Sequence, residues 1–443
     1  MRNHIGTSCA GLTLLLGFLL LAPCLHAQMT MPGMAAMENS VGFLSSGTSV
    51  EPKNTSESAP MIHTSLGKWT FMFHANAFLA DTQQSGPRGG DKLFSVNWLM
   101  PMVSRDFGRQ TVTFRTMVSL EPATVTQRRY PELFQSGETA FGLPIVDGQH
   151  PHDLFMELTG RYDFRLSEKT RLFVYGGPIG GPPLGPTAYP HRASASENPL
   201  AILGHHQEDS THISNSVITI GFAGGPIQLE VSTFHGREPN ENRWNIDKGR
   251  PDSFSSRLTA GIGNKLSGQF SIGRINNREA LEPNLDTLRI TASLHHNARL
   301  SSGRISTSLI WGRNKDLAGH DTRIFNAFTA ESTVNFLSRN WAWTRIENVD
   351  RDRTLLVGEK PAALQVEEDP IGRVQAYTFG YERDLPIGPS FLNVGLGIQA
   401  TVYGLTSQLK SIYGERPSGF TVFLHLRPTG NVGLHMQIMH EKH

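Results

Sequence analysis

The chain has 443 residues, of which 40 are basic and 39 are acidic, so its formal net charge is +1. This balance gives no electrostatic argument for nucleic-acid binding, and we predict no nucleic-acid partner. The mean hydropathy of −0.27 excludes a bundle of membrane-spanning helices. It does not exclude a β-barrel, whose strands turn only alternate side chains to lipid.

The first 27 residues have the pattern of a secretory signal peptide. Arg2 supplies positive charge, residues 11–22 form an apolar run, and Ala27 is a small residue before the predicted cleavage site. The apolar run is too short for a stable membrane anchor, which needs about 20 residues. Both cysteines, Cys9 and Cys24, fall inside this segment, so the predicted mature chain has no thiol and no disulfide.

Residues 28–67 are predicted to form a periplasmic leader and linker. The leader carries four methionines in nine positions, in a Gly/Pro/Ala background with no core to fill; they are Met29, Met31, Met34 and Met37. Thioethers favour Cu(I), so these residues are candidate metal ligands, although an accidental Met-rich leader explains them equally well. Residues 45–60 are rich in Ser, Thr and Pro, which is typical of a linker. With about 40 residues before the first strand, we expect no plug domain.

Residues 68–428 read as sixteen strand-like segments whose connections alternate between short and long. Short connections include residues 223–226 and 338–340, and long ones include residues 121–152 and 177–214. This parity predicts an all-β, antiparallel, up-and-down transmembrane barrel in the outer membrane of a Gram-negative-type bacterium. A soluble β-sandwich is the alternative. The segment Val432–His440 also alternates. If it is the last strand, one other segment is misassigned and eighteen is the neighbouring even count.

Within the predicted strands, apolar residues alternate with polar ones, as in Leu288-Arg289-Ile290-Thr291. Nine charged side chains fall near mid-strand on the polar face: Arg115, Glu157, Arg161, Glu230, Arg257, Arg289, Glu331, Arg345 and Glu347. We predict that they line an aqueous pore, since the polar face of a barrel points inward. Their mixed charge argues against strong ion selectivity.

Two long outer loops carry candidate site residues. The second outer loop contains Glu138, His150, His152 and Asp153, which either narrow the pore or bind a metal such as zinc or copper. The third outer loop adds His205, His206 and His212 as candidate metal ligands. Because the two loops are neighbours along the barrel rim, we expect their histidines to converge.

Residues 429–443 are predicted to be a periplasmic tail. This tail repeats the Met/His composition of the leader, and its candidate metal ligands are His435, Met436, Met439 and His440. Copper is the only cofactor that these ends suggest. The expected partners are outer-membrane lipid and periplasmic metal-handling proteins, and the oligomeric state is left open.

Four segments carry a resemblance to a known group of proteins. They are residues 84–92 (QSGPRGGDK), 134–139 (FQSGET), 149–158 (QHPHDLFMEL) and 343–349 (WTRIENV). In these segments the chain resembles a family of uncharacterised bacterial outer-membrane β-barrel proteins with Met/His-rich ends. The resemblance implies an outer-membrane location and a link to copper or heavy-metal resistance.

Three functions are compatible with these patterns. The leading hypothesis is a porin-like channel for small solutes or metal ions, with long outer loops narrowing the pore. The first alternative is a copper- or heavy-metal-binding outer-membrane protein of a metal-resistance system. A minor alternative is an outer-membrane lipid hydrolase, which needs a Ser–His pair on the lipid-facing side. Since no nucleophile motif is present, we expect no enzyme.

Overall fold

The computed structural model describes residues 39–57, 59, 61–280, 284–317, 323–359, 370–389 and 391–428. The strands are β1 (Phe43–Leu44), β2 (Val50–Glu51), β3 (Met61–Leu66), β4 (Trp69–Gln84), β5 (Asp91–Phe107), β6 (Gln110–Val118), β7 (Tyr130–Ala140), β8 (Leu143–Gln149), β9 (Phe155–Ser167), β10 (Thr170–Gly180), β11 (Ser214–Gly224), β12 (Ile227–His235), β13 (Ser253–Ile262), β14 (Leu266–Ile275), β15 (Thr287–Leu300), β16 (Gly303–Asp316), β17 (Ile324–Phe336), β18 (Asn340–Asp352), β19 (Pro370–Leu385), β20 (Leu392–Gly404) and β21 (Ser418–Pro428).

Helices are few and short. The α-helices are Glu121–Thr124, His205–Glu208, Thr354–Val357 and Ser407–Tyr413, and the 3-10 helices are Lys53–Glu57, Thr126–Arg128, Tyr189–His191 and Ser210–His212. A search of the described ranges finds no helix with the length and apolar character needed to cross a membrane.

Sixteen antiparallel strands, β4–β6 and β9–β21, form a closed barrel. The barrel closes where β21 pairs with the second half of β4, with Gly419 opposite Gln84 and Leu426 opposite Ala77. The short strand β3 pairs with the first half of β4 and extends the same seam. The predicted sixteen-stranded barrel is therefore confirmed. The segment Val432–His440, on which the eighteen-strand count depends, lies outside the described residues.

The connections between barrel strands alternate in length, as predicted. One end of the barrel has tight turns such as residues 108–109, 168–169 and 225–226, whereas the other end has long connections at residues 119–154 and 181–213. In membrane barrels the short turns are periplasmic and the long loops are external. We call residues 119–154 the second outer loop and residues 181–213 the third outer loop.

The exterior of the barrel is apolar. Val174, Ile220 and Val231 lie side by side on three adjacent strands, and each is about half exposed. Similar rows recur around the wall, where Leu396 faces Leu424 on the neighbouring strand. Closure satisfies every strand edge without water, so this surface is suited to lipid. The barrel belongs in the outer membrane of a Gram-negative-type bacterium.

The amino-terminal segment, residues 39–57, lies inside the barrel and is largely buried. Within it, β1 and β2 pair as a small hairpin. The backbone of Val41 approaches the inner wall so closely that a Cβ on Gly261 would lie 2.0 Å from its carbonyl oxygen. The prediction of a periplasmic linker was wrong for this segment, because its polar residues hydrogen-bond a polar wall rather than water. Residues 61–66 were also predicted as linker and form β3.

Candidate functional site

The nine predicted pore-lining charges all lie inside the barrel and are buried. They are Arg115, Glu157, Arg161, Glu230, Arg257, Arg289, Glu331, Arg345 and Glu347. Alternation along each strand turns them inward, away from the apolar exterior. Burying charge is costly unless it is paired, so each of these groups needs a partner in the interior. Whether they line a water-filled pore stays a prediction.

Some of these charges hold the amino-terminal segment. Arg257 donates from Nη2 to Thr48 Oγ1 at 2.9 Å, and its Nε contacts Glu230 Oε2, also at 2.9 Å. Arg115 donates from Nη1 to the carbonyl oxygen of Gly47 at 2.9 Å. The tip of the β1–β2 hairpin is therefore hydrogen-bonded to the barrel wall.

Other wall charges hold the third outer loop. Arg345 donates from Nη1 to the carbonyl oxygen of Ala201 at 3.0 Å. Glu347 Oε1 accepts a hydrogen bond from the backbone N–H of Leu203 at 2.5 Å. This loop therefore lies against the inner face of the barrel rather than over its rim.

Arg192, on the third outer loop, is a central ion-pair partner that sequence reasoning missed. It is fully buried, and its Nε lies 2.5 Å from Glu331 Oε1 while its Nη1 lies 3.3 Å from Asp209 Oδ2. Burial lowers the pKa of an arginine, but the carboxylates of Glu331 and Asp209 reverse this and raise the pKa of Arg192. Its only signal in the sequence was a charged residue in a Pro-rich loop.

The amino-terminal segment and the third outer loop meet inside the barrel. Asn54 donates its backbone N–H to the carbonyl oxygen of Asn264, which lies in a tight turn at the short-turn end. At the tip of the β1–β2 hairpin, Ser45 Oγ donates to the carbonyl oxygen of His191 at 3.1 Å. The segment therefore enters from the periplasmic end and reaches the loop that enters from outside.

Three cavities between the described residues of the interior are small, with volumes of about 30, 40 and 60 Å³. A buried water needs roughly 10–15 Å³ by this measure, so each of these cavities has room for a few waters. These spaces are much smaller than the aqueous lumen typical of a sixteen-stranded barrel.

The histidines of the second and third outer loops converge, as expected from the parity argument. Ring centroids lie 5.6 Å apart for His152 and His212, 5.3 Å for His205 and His212, and 5.4 Å for His205 and His206. His150 joins the cluster at 6.4 Å from His206. Five loop histidines therefore form one group, in which His150, His152, His205 and His206 are buried and His212 is partly buried.

Carboxylates orient several of these rings. His152 Nδ1 lies 2.9 Å from Glu121 Oε1, and His205 Nδ1 lies 2.7 Å from Asp209 Oδ1. Glu121 was not predicted to take part, because it is separated from His152 by the β7–β8 hairpin.

Burial sets the charge state of the loop histidines. It lowers the pKa of His150 well below the usual range and that of His212 to about 3. Burial also acts to lower the pKa of His152, but the Glu121 carboxylate outweighs it and the pKa is raised. A neutral ring keeps a lone pair for a proton or a metal ion.

The four constriction residues of the second outer loop lie close together. His150 Nε2 is 3.1 Å from Glu138 Oε1, and Arg243 pairs with both Glu138 and Asp153. Arg243 comes from the fourth outer loop, residues 236–252, and was not predicted. The remaining predicted metal ligands, Met29, Met31, Met34, Met37, His435, Met436, Met439 and His440, lie outside the described residues.

The lipid-hydrolase alternative gains no support from the described serine–histidine contacts with the barrel wall. His295 Nδ1 lies 2.8 Å from Ser308 Oγ, and its Nε2 lies 2.8 Å from Ser293 Oγ. His295 is buried on the inner face of the wall, away from lipid.

Comparisons with known proteins give likenesses of fold only. No family model matches the chain, and no curated relative matches it. An anion-selective porin from Comamonas acidovorans is 13% identical with a TM-score of 0.48, over 81% of this chain and 99% of that one. The outer-membrane channel DcaP of Acinetobacter baumannii is 11% identical with a TM-score of 0.45, over 82% and 99%. Salmonella typhi OmpF is 7% identical with a TM-score of 0.47, over 82% and 100%. The protein has a porin-like outer-membrane β-barrel fold, which its strand pairing establishes independently of these likenesses.

Proposed function

We propose that the protein is a porin-like channel for small solutes or metal ions, closed in this structure by its own chain. The amino-terminal segment closes the lumen from the periplasmic side, and the second and third outer loops narrow it from outside. Permeation then requires one or more of these segments to move. Opening is a conformational step of the segments inside the barrel, while the hydrogen-bonded wall stays fixed.

The observation that carries this proposal is the pairing of a charged wall with chain segments that do not belong to the wall. Arg257, Arg115 and Arg345 all donate to backbone or side-chain oxygens of these segments. Apolar side chains would stabilise the interior at least as well as these charged ones, because buried ion pairs often add little to the free energy of unfolding. A charged wall suits an interior that water enters when the segments leave.

A cysteine pair tests whether the amino-terminal segment blocks the pore. A Cβ on Gly47 would lie 3.5 Å from the Cα of Gly181, and a Cβ on Gly181 would lie 3.8 Å from the Cα of Gly47. The two positions are therefore adjacent, which places introduced cysteines close enough to be cross-linked. Gly181 directly follows β10, so the bond would fix the tip of the segment next to the wall. Since the predicted mature chain contains no cysteine, no other thiol competes.

The assay is single-channel recording in planar lipid bilayers. We expect the oxidised Gly47→Cys/Gly181→Cys protein to stay closed and to open after reduction, while a variant lacking residues 39–57 conducts constitutively. The single variant Gly47→Cys controls for the substitution itself. Absence of conductance from both the reduced pair and the deletion variant would overturn the proposal.

Copper binding at the chain ends is a separate proposal. It is motivated by the Met/His composition of residues 29–37 and 435–440. Titration of Cu(I) against full-length and end-deleted protein tests it, and equal affinity for both would remove the ends from consideration. A role beside periplasmic metal-handling proteins depends on this result.

A further inference from the structure

Three outer loops bring metal-ligating atoms together at the outer end of the barrel. His206 comes from the third outer loop, Glu238 from the fourth, and Glu279 from the fifth, which follows β14. One ligand atom from each of these residues lies within 4.8 Å of the other two. His206 Nδ1 is already 3.3 Å from Glu238 Oε1. No two of these residues share a loop, so only the folded barrel assembles the group.

One buried atom in this group lacks a partner. Glu238 Oε2 is buried and accepts no hydrogen bond, although its Oε1 faces His206. His150 is already partnered, since its Nε2 lies 3.1 Å from Glu138 Oε1. A buried polar atom without a partner destabilises the folded chain. The site therefore has ligand capacity that the protein itself does not use.

The space for an ion is present. A cavity of about 60 Å³ is bordered by Glu138, His206, Arg278 and Glu279. The His206 ring packs so closely on Gly137 that a Cβ there would lie 2.4 Å from Nε2, which leaves Nδ1 as the atom facing the carboxylates.

In a second cluster of possible metal ligands, an arginine already pairs with the carboxylates. Glu197, Glu382 and His425 also have ligand atoms within 4.8 Å of one another. There, however, Arg427 Nη1 lies 2.8 Å from Glu197 and 2.6 Å from Glu382, so a guanidinium already occupies the cation position. We exclude this cluster as a metal site.

The cluster of His206, Glu238 and Glu279 differs from the second cluster in how its arginine pairs with the carboxylates. Arg278 Nη1 is 2.6 Å from Glu279 Oε1 and 3.9 Å from Glu238 Oε1, so its contact with Glu279 is the shorter one. Glu238 retains one unpartnered oxygen and a histidine nitrogen nearby.

We propose that His206, Glu238 and Glu279 bind a divalent transition-metal ion such as Zn²⁺, with His150 and Glu138 beside them. Imidazole nitrogen and carboxylate oxygen suit Zn²⁺, Ni²⁺ or Cu²⁺ rather than Cu(I), which prefers sulfur. Ligands about 2.0–2.2 Å from a tetrahedral zinc lie about 3.3–3.6 Å apart. The distance of 3.3 Å between His206 Nδ1 and Glu238 Oε1 is at the lower end of this range. The ion would link the third, fourth and fifth outer loops. This inference goes beyond the channel proposal and does not depend on it.

Zinc titration by calorimetry on the detergent-solubilised full-length protein tests the site. We expect one site in the wild type, with Glu238→Gln and Glu279→Gln each weakening binding at least about tenfold. Both changes keep side-chain shape, and heat-modifiable migration on gels checks that each barrel is folded. Asp252→Asn is the matched control, because it removes a carboxylate from a separate pair in which His235 Nδ1 lies 3.1 Å from Asp252 Oδ2.

X-ray absorption of the zinc-loaded protein should report only nitrogen and oxygen ligands. Undiminished zinc affinity in both glutamine variants, equal losses in Asp252→Asn, or sulfur in the zinc shell would each overturn the assignment. Since binding rather than conductance is measured, a failure here is distinct from a failure of the channel proposal.

Discussion

Glu51, on the amino-terminal segment, should make closure of the barrel depend on pH. The residue is only 2% exposed, and its Oε1 accepts no hydrogen bond. Burial raises its pKa from 4.5 to about 7, opposed by a hydrogen bond from Thr187 and by the charge of Arg192, while Glu331 adds to the rise. His295 is a further titratable group nearby, with its Nδ1 atom 3.8 Å from Glu51 Oε1.

The sign and size of the effect follow from this pKa. A carboxyl group whose pKa is raised in the docked state favours docking while it is protonated. Its contribution is fully present below pH 4.5 and is lost as the pH rises through about 7. The whole effect is about 3 kcal/mol, and between pH 6 and pH 8 the docking equilibrium should weaken about tenfold, or about 1.3 kcal/mol.

Single-channel recording across this pH range measures the effect as open probability. We expect opening to increase from pH 6 to pH 8 in the wild type. Glu51→Gln keeps the shape of the side chain but cannot ionise, so it should stay largely closed and lose most of the pH dependence. If Glu51→Gln shows the same pH profile as the wild type, the reasoning from burial is refuted and another group controls opening.

Two further substitutions probe the interior. In Gly261→Ala the new Cβ would meet the carbonyl oxygen of Val41 at 2.0 Å, so residues 39–57 should become more accessible to protease. Gly160→Ala is the control, because its nearest contact is Phe114 at 3.7 Å, and equal cleavage of both variants would contradict the close packing. Arg192→Met removes the guanidinium that links Glu331 to Asp209, although Glu331 keeps Arg345 and Asp209 keeps His205. Packing of the third outer loop should therefore weaken by about 1–3 kcal/mol, seen as faster cleavage within it. Cleavage no faster than in a variant of an exposed arginine, Arg416→Met, would disprove this.

The barrel could be predicted because its signals are local. The alternation of apolar and polar residues in Leu288-Arg289-Ile290-Thr291 shows which side of the wall each residue faces. The alternation of short and long connections shows at which end of the barrel each connection lies. Neither signal depends on knowing which strands pair, because in an up-and-down barrel each strand pairs with its neighbour. The convergence of His205 and His152 followed from the same order, since their loops are consecutive along the rim.

The contents of the lumen could not be predicted in this way. Residues 39–57 have the composition of a linker because the surface that buries them is itself polar, so no apolar pattern marks them. Asn39 illustrates this, since its Nδ2 donates to Gln228 Oε1 of the wall, 189 positions away in the chain. Arg192 was missed for the same reason, as its partner Glu331 belongs to a distant strand.

The polar character of this interface bears on whether the amino-terminal segment can leave. Releasing an apolar plug into a wet lumen would expose hydrophobic surface at about 25 cal/mol per Å². Here the apolar contribution comes from four buried side chains: Val41, Leu44 and Val50 pack near Ala223 of the wall, and Phe43 packs in a second apolar cluster that contains Trp98. Most other contacts are hydrogen bonds such as Arg257 to Thr48, and water can replace both partners. Each such exchange has a net free energy of about 0.5–1.5 kcal/mol between neutral groups and about 1.5–3 kcal/mol where one partner is charged, as Arg257 is. An interface of this kind holds a short segment in place and still allows its release, as a gated channel requires.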